Sequence, residues 1–346
     1  MTELRDATAQ SGITRAVEGM PSIEAVALAE RSFSDAGGAQ SPLLMYRTGA
    51  ESQLDWMEEL GRLRALAQHL GLDAQAREAF ERACKLDLLT VERDSNDQRQ
   101  RNLHEGMAPF RVIRFLIARG WLFDAWPPPT GRRGDDVDLQ LVAPNGTKVN
   151  VQVKASDRPG NVLQEPIPGT TRFISNEPIP GTTEFVSRRR DGENDDHALV
   201  GIRKACFQLR ASCDVVTLIV VCAQRDSPLS QAPQSVAAGL LGRTVQTATG
   251  VYLPRDRWGV FLDERSRGEW EHVSAVVLLD FVRGVACSAY ACTTFANPHA
   301  KHSADAGWFT PAQVLVVEDN TVRWRGGAPE GSGVPTGTRI VERPPA

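Results

Sequence analysis

The chain has 346 residues with ordinary apolar and charged fractions, enough for one large or two modest domains with a sizeable core. A formal net charge of −4 gives no global pull toward nucleic acid or anionic membrane, so any polyanion binding must come from local basic clusters. Six cysteines (84, 206, 213, 222, 287 and 292) show no CxxC pair and no zinc-ligand spacing, which excludes a disulfide scaffold or zinc module and suits reduced thiols.

Residues 1–97 read as a helical region. The opening MTELRDATAQ lacks an apolar signal core, and no uncharged apolar run approaches the ~20 residues of a membrane span, so a cytoplasmic protein without a membrane partner is expected. A short helical pattern covers Ile23 to Phe33. From Glu51 to Leu89 the spacing of Leu54, Met57, Leu60, Leu63 and Leu66 is helical, and Gly71 separates a second helix starting at Asp73. The plain role of this hairpin is packing or oligomerisation. Val91 to Arg101 is dense in charge and amide, as in an exposed connection.

Residues 98–225 hold the informative part. A helix is expected from about Ala108 to Arg119, opened by Pro109 and closed by Gly120. Phe110, Ile113, Leu116 and Ile117 form its buried stripe, and Arg111, Arg114 and Arg119 an outer face, either solvated or touching phosphates. A strand begins at Trp121 to Phe123, and WPPPTGRRG turns the chain into DDVDLQLVAPNGTKVNVQVKAS at 135–156.

That last stretch reads as a β-hairpin, with Val137, Leu139 and Leu141 alternating on one arm and Val149, Val151 and Val153 on the other. If Pro144-Asn145-Gly146 forms the loop, with Gly146 in a left-handed bulge position, both apolar rows fall on one face. Asp138 then stands opposite Gln152, and Asp136 opposite Lys154. A two-residue Asn145-Gly146 loop would set Asp138 against Val153 and mix the rows.

After Lys154 comes a tandem repeat, EPIPGTTRFISN at 165–176 and EPIPGTTEFVSR at 177–188, followed by Arg189 and Arg190. It is either a plain duplication of one loop or a basic flap over the polar face of the hairpin. A helix from about Ala198 to Ser212 and a buried-type strand from Val215 to Val221 follow. In residues 226–325 a short helix is expected near Val236 to Leu241, strands at Trp258 to Leu262 and Val273 to Phe281, and a hairpin of Val314 to Val317 with Thr321 to Trp324. Residues 326–346, rich in Gly and Pro, are expected to be disordered.

Two carboxylates and an amide oxygen on one strand face are hard donors suited to Mg²⁺ or Mn²⁺. A lysine about 7 Å along the same face can orient or help deprotonate an attacking water and offset charge on a pentavalent phosphate. Phosphodiester hydrolysis uses all four groups. The bland alternative is a solvated strand face on which Asp and Lys merely pair. His299 and His302, three residues apart in NPHAKHSAD, could ligate a metal on a helix, but Pro298 and Gly307 point to a loop. His104 beside Glu105 could shuttle protons or be structural. No GxSxG elbow, Walker-type loop or dinucleotide fingerprint occurs.

The D-x13-Q-x-K spacing, the preceding helix ending in ARGW, and the later helix and buried strand together resemble the PD-(D/E)xK nuclease superfamily. The likeness is to Mrr-type members and others with a VQVKxS segment, and it covers roughly residues 100–225. It implies an α/β (α+β) restriction-endonuclease-like core, a mixed central sheet flanked by helices in the order αβββαβ. Around this core lie a helical N-terminal element and a β-rich C-terminal region. It further implies Asp138 and Gln152 as metal ligands, Asp136 as a helper and Lys154 as the catalytic lysine. Many such nucleases add a Glu from the first helix; here Pro109 and Phe110 occupy that place and Glu105 lies one turn earlier. Gln in place of an acid implies weaker metal binding, or a site completed by the substrate phosphate.

The expected function is a metal-dependent endonuclease of restriction or phage-defence type. DNA, or else RNA, would be the partner, with Arg132, Arg133, Arg188, Arg189 and Arg190 as candidate phosphate contacts. A double-strand cut would call for a homodimer. The competing reading is a nuclease-fold module that binds nucleic acid or a partner protein without cutting.

Overall fold

The computed structural model describes residues 7–37, 50–84, 92–128, 137–155, 197–209, 214–222, 232–281, 290–309, 312–329 and 333–343. Asp136, Arg132, Arg133, the tandem repeat and Arg188 to Arg190 lie outside them.

The N-terminal third is helical: α1 (Ala7–Glu18), α2 (Ser22–Asp35), α3 (Ala50–His69), α4 (Asp73–Cys84) and α5 (Glu92–Ile117). Small residues let these helices touch at the backbone. A Cβ on Gly61 would fall 1.8 Å from the Ala25 carbonyl oxygen, and one on Gly106 would fall 2.4 Å from Ala79 Cβ. The expected stripe of α3 holds for Met57, Leu60, Leu63 and Leu66, all buried, whereas Leu54 is exposed.

The helix expected to start at Pro109 instead starts at Glu92, so Val91 to Arg101 is not a plain connection and Pro109 is interior. Once Leu103, Met107, Phe110, Ile113 and Leu116 are buried, extending the helix backward costs no new nucleation, even through a stretch without an apolar stripe. Nor do the three arginines form an outer face. Arg111 is buried and bonds Glu59 from Nε at 2.7 Å. Arg114 holds both carboxylate oxygens of Glu18 at 2.7 and 2.8 Å. Arg119 donates to the Phe115 carbonyl and lies over its ring at 3.6 Å, and burial lowers its pKa.

Beyond α5 come β1 (Leu122–Ala125), β2 (Leu139–Val142), β3 (Lys148–Ala155), α6 (His197–Gln208) and β4 (Val216–Cys222), the αβββαβ order expected. Then follow α7 (Ala232–Leu240), β5 (Val245–Thr247), β6 (Gly250–Pro254), α8 (Glu264–Trp270), β7 (Ala275–Phe281), β8 (Tyr290–Ala296), β9 (Gln313–Glu318), β10 (Thr321–Arg325) and β11 (Arg339–Val341). Among the described residues the strands form one mixed sheet in the order β1-β2-β3-β4-β7-β8-β9-β10-β11-β6-β5. The β3–β4, β4–β7, β8–β9 and β11–β6 pairs are parallel and the rest antiparallel.

The sheet separates two cores. Odd-numbered β3 residues Val149, Val151 and Val153 join α3, α4 and α5 on the first face. On the second, Ile219, Val221, Val276 and Leu278 pack against α6, α7 and α8. The molecule is therefore a mixed α/β structure, with helices on both faces of the sheet.

Three expectations downstream fail. Trp258 to Leu262 is no strand; it is a turn that makes one bridge, Gly242 to Trp258. The helix α6 ends at Gln208 rather than Ser212. The Gly/Pro-rich tail contains β11, and Val334 and Thr338 within it are buried.

Candidate active site

The hairpin loop forms as its residues dictate. Ala143 N–H donates to Thr147 at 2.8 Å, Gly146 N–H donates to the Ala143 carbonyl, and Gly146 takes φ +85°, where a side chain is strained. This fixes Leu139 opposite Val151 and Leu141 opposite Val149, the expected register. Val137 departs from the row, because it lies ahead of β2 and packs on the second core.

The consequence is that Asp138 meets Gln152. Asp138 Oδ2 accepts from Gln152 Nε2 at 2.7 Å and from Val153 N–H at 2.7 Å. Those two donors orient the carboxylate and fix which way the amide points. Gln152 is 2% exposed, and its other end, Oε1, is buried without a hydrogen-bond partner among the described residues. A buried acceptor left unsatisfied costs about 1–3 kcal/mol, a cost that a donor or a cation at this oxygen would offset.

Lys154 follows on the same face. Its ammonium donates to Gln208 Oε1, and a Cβ on Gly201 would stand 3.6 Å from Lys154 Cβ, so α6 lies along this lysine for two turns. The polar face is thus not simply solvated: α6 covers its Lys154 end. Toward the loop, Gln140 Nε2 donates to Asn150 Oδ1 at 3.2 Å on the same face.

Asp138 and Gln152 are therefore in contact, and Lys154 lies two residues along the same strand face with its ammonium on Gln208. Glu105 is placed differently: it is an exposed residue of α5, which packs on the first face, whereas Gln152 and Lys154 lie beneath α6 on the second. His104 beside it is buried, with Nδ1 against the Arg111 guanidinium. Burial first, and the Arg111 charge second, hold its pKa well below the usual imidazole value, against a hydrogen bond with the Cys222 backbone. His299 and His302 lie in the turn after Asn297 and on no helix; burial, then Arg267, lowers the His299 pKa.

Among the described residues no group of three or more His, Cys, Asp or Glu converges as a metal cluster. The hydrogen bond joins the Asp138 carboxylate to the nitrogen end of the Gln152 amide; the carboxylate and the buried amide oxygen are donors of the kind that a hard cation keeping several waters takes. The one member that residue-level reasoning missed is Gln208. Its only sequence signal is its seven-residue spacing from Gly201 on the Lys154 side of α6.

No helix among the described residues is long and apolar enough to cross a membrane. No family model, no curated protein and no solved structure matches the chain.

Proposed function

We propose that the protein is a metal-dependent endonuclease, of restriction or phage-defence type, that hydrolyses phosphodiester bonds of DNA. The observation that carries this reading is the Asp138–Gln152 hydrogen bond with Lys154 on the same strand face and the Gln152 amide oxygen buried without a partner among the described residues. Asp138 and Gln152, with Asp136, would hold Mg²⁺ or Mn²⁺, and the ion would supply charge stabilisation for the phosphate and a more acidic water. The restriction-endonuclease-like reading of the αβββαβ segment supports the same assignment. Asp138 keeps the Gln152 amide turned so that its oxygen, not its nitrogen, meets the ion. Lys154 offsets charge on the phosphate and orients the attacking water. Its bond to Gln208 holds the ammonium in place before substrate arrives.

The test is cleavage of plasmid and linear DNA with Mg²⁺ or Mn²⁺. Lys154→Ala is expected to lower the rate by about 10²–10⁴-fold, and Asp138→Asn and chelation to abolish it, with unchanged circular dichroism. Cleavage that survives in both variants overturns the reading. One observation favours a module that binds without cutting: Asp138 Oδ2 already accepts two hydrogen bonds and Lys154 already has an acceptor. That reading predicts salt-sensitive binding with no divalent-dependent turnover on any substrate.

A further inference from the structure

Strand β3 carries the polar face of the site onward to the hairpin loop. Alternation puts Lys148, Asn150, Gln152 and Lys154 on one side of the strand, and the β2–β3 register sets Gln140 opposite Asn150. Same-face neighbours stand about 7 Å apart, so Lys148 lies about 20 Å from Lys154 along the strand, with the two amides between them.

Toward the loop this row turns from oxygen acceptors to N–H donors. Gln140 Nε2 donates to Asn150 Oδ1 at 3.2 Å, which leaves the Asn150 amino group and the second N–H of Gln140 without an acceptor among the described residues. Both side chains are half-buried, outside the end of the face that α6 covers. The Lys148 side chain is 70% exposed, and its ammonium stands 3.5 Å from Asp124 Oδ2, a loose contact that leaves it open to solvent.

We propose that Lys148, Asn150 and Gln140 form a track for the phosphates that flank the scissile one on the DNA strand being cut. Phosphate oxygens accept from amide and ammonium N–H alike, and donors repeating about every 7 Å meet an extended polynucleotide backbone about once per nucleotide. Contacts to phosphate carry no sequence information, so the track positions the strand whatever its sequence. Lys148 supplies locally the attraction that a chain of net charge −4 lacks as a whole. The track rests on the hydrolytic reading, which sets the scissile phosphate at the Asp138–Gln152 end of the row.

Binding is measured apart from cutting, by anisotropy of a short fluorescein-labelled DNA duplex in EDTA across a salt series. Lys148→Gln is expected to flatten the slope of log affinity against log salt by about 0.9, one phosphate contact, and Lys148→Arg to keep the wild-type slope. Asn150→Ala with Gln140→Ala is expected to weaken binding about fivefold at an unchanged slope, because neutral donors displace no counterions. Lys301→Gln, at an exposed lysine in the turn after β8, is expected to leave both affinity and slope unchanged. Absence of wild-type binding, an unchanged slope in Lys148→Gln, or the same flattening in Lys301→Gln each overturns the track. If Lys148→Gln melts early, the amide variant decides, and its unchanged affinity overturns the track. A slope that depends on Lys148 without turnover under Mg²⁺ or Mn²⁺ removes only the nuclease; turnover with a slope independent of Lys148 removes only the track.

Discussion

Individual residues in this molecule are tied down by charges that sit in unusually dry places. Arg111 is the clearest: nearly buried, it serves Glu59 at one end and His104 Nδ1 at the other, so the imidazole must stay neutral to accept. The folded chain therefore holds the His104 pKa well below the unfolded value, and the unfolded chain binds one more proton once pH falls below about 6.5. The stabilisation is complete above that pH and is lost as pH falls toward the folded pKa, at about 1.4 kcal/mol per pH unit. Urea denaturation between neutral and mildly acidic pH is expected to show this slope in the wild type. In His104→Asn, whose amide oxygen can take the Arg111 hydrogen bond, the slope is expected to fall by one proton's worth. Equal slopes would mean that His104 already carries its proton when folded.

Single elements show where local sequence suffices and where it does not. The β2–β3 hairpin is legible because its rules are short-range: alternation fixes the faces, and Pro144-Asn145-Gly146 fixes the register. At Gly146, with φ +85°, nothing lies within 4 Å of the place a Cβ would take, so Gly146→Ala is expected to cost only backbone strain, about 1–2 kcal/mol. Gly146→Asn should cost less, since Asn tolerates this conformation, and chemical denaturation ranks the three. An Ala variant as stable as wild type would mean that the loop does not set the register. The hairpin of Val314 to Val317 with Thr321 to Trp324 was legible for the same reason, and the structure turns it through Asp319 and Asn320 at φ +49° and +54°. The start of α5 was not, because a helix can be carried by packing about three turns away, and Pro109 looked like a beginning rather than an interior residue. Nor was β11: three residues have no pattern, and only their pairing with β6 and β10 makes them a strand. At the site, Asp138 and Gln152 were legible through register, whereas Gln208 was not, because a crossover helix brings it to Lys154 from 54 residues away.

At the scale of the whole molecule, the segment expected to hold the chemistry and the strands after it share one sheet, since β4 pairs directly with β7. Closure at the far side depends on the tail. Trp324 Nε1 donates to the Val334 carbonyl at 2.7 Å, Thr336 Oγ1 accepts from Trp324 N–H, and β11 pairs with β6 through Tyr252, Leu253 and Pro254. Ending the chain after Arg325 is therefore expected to uncover Trp324 and Leu253, lower the melting temperature and raise binding of a hydrophobic dye. A truncated chain that melts like the full one would show that the tail adds nothing to the sheet.

The placing of β11 between β10 and β6 also has a consequence for the order of synthesis. The β5–β6 hairpin leaves the ribosome long before the strand that joins it to the rest of the sheet, since Tyr252 must wait for Arg339. Until then both β6 and β10 present open backbone edges, the surfaces on which nascent chains pair with one another. The last strand described is the one that removes this hazard, so a ribosome stalled shortly before it leaves the chain at its most association-prone.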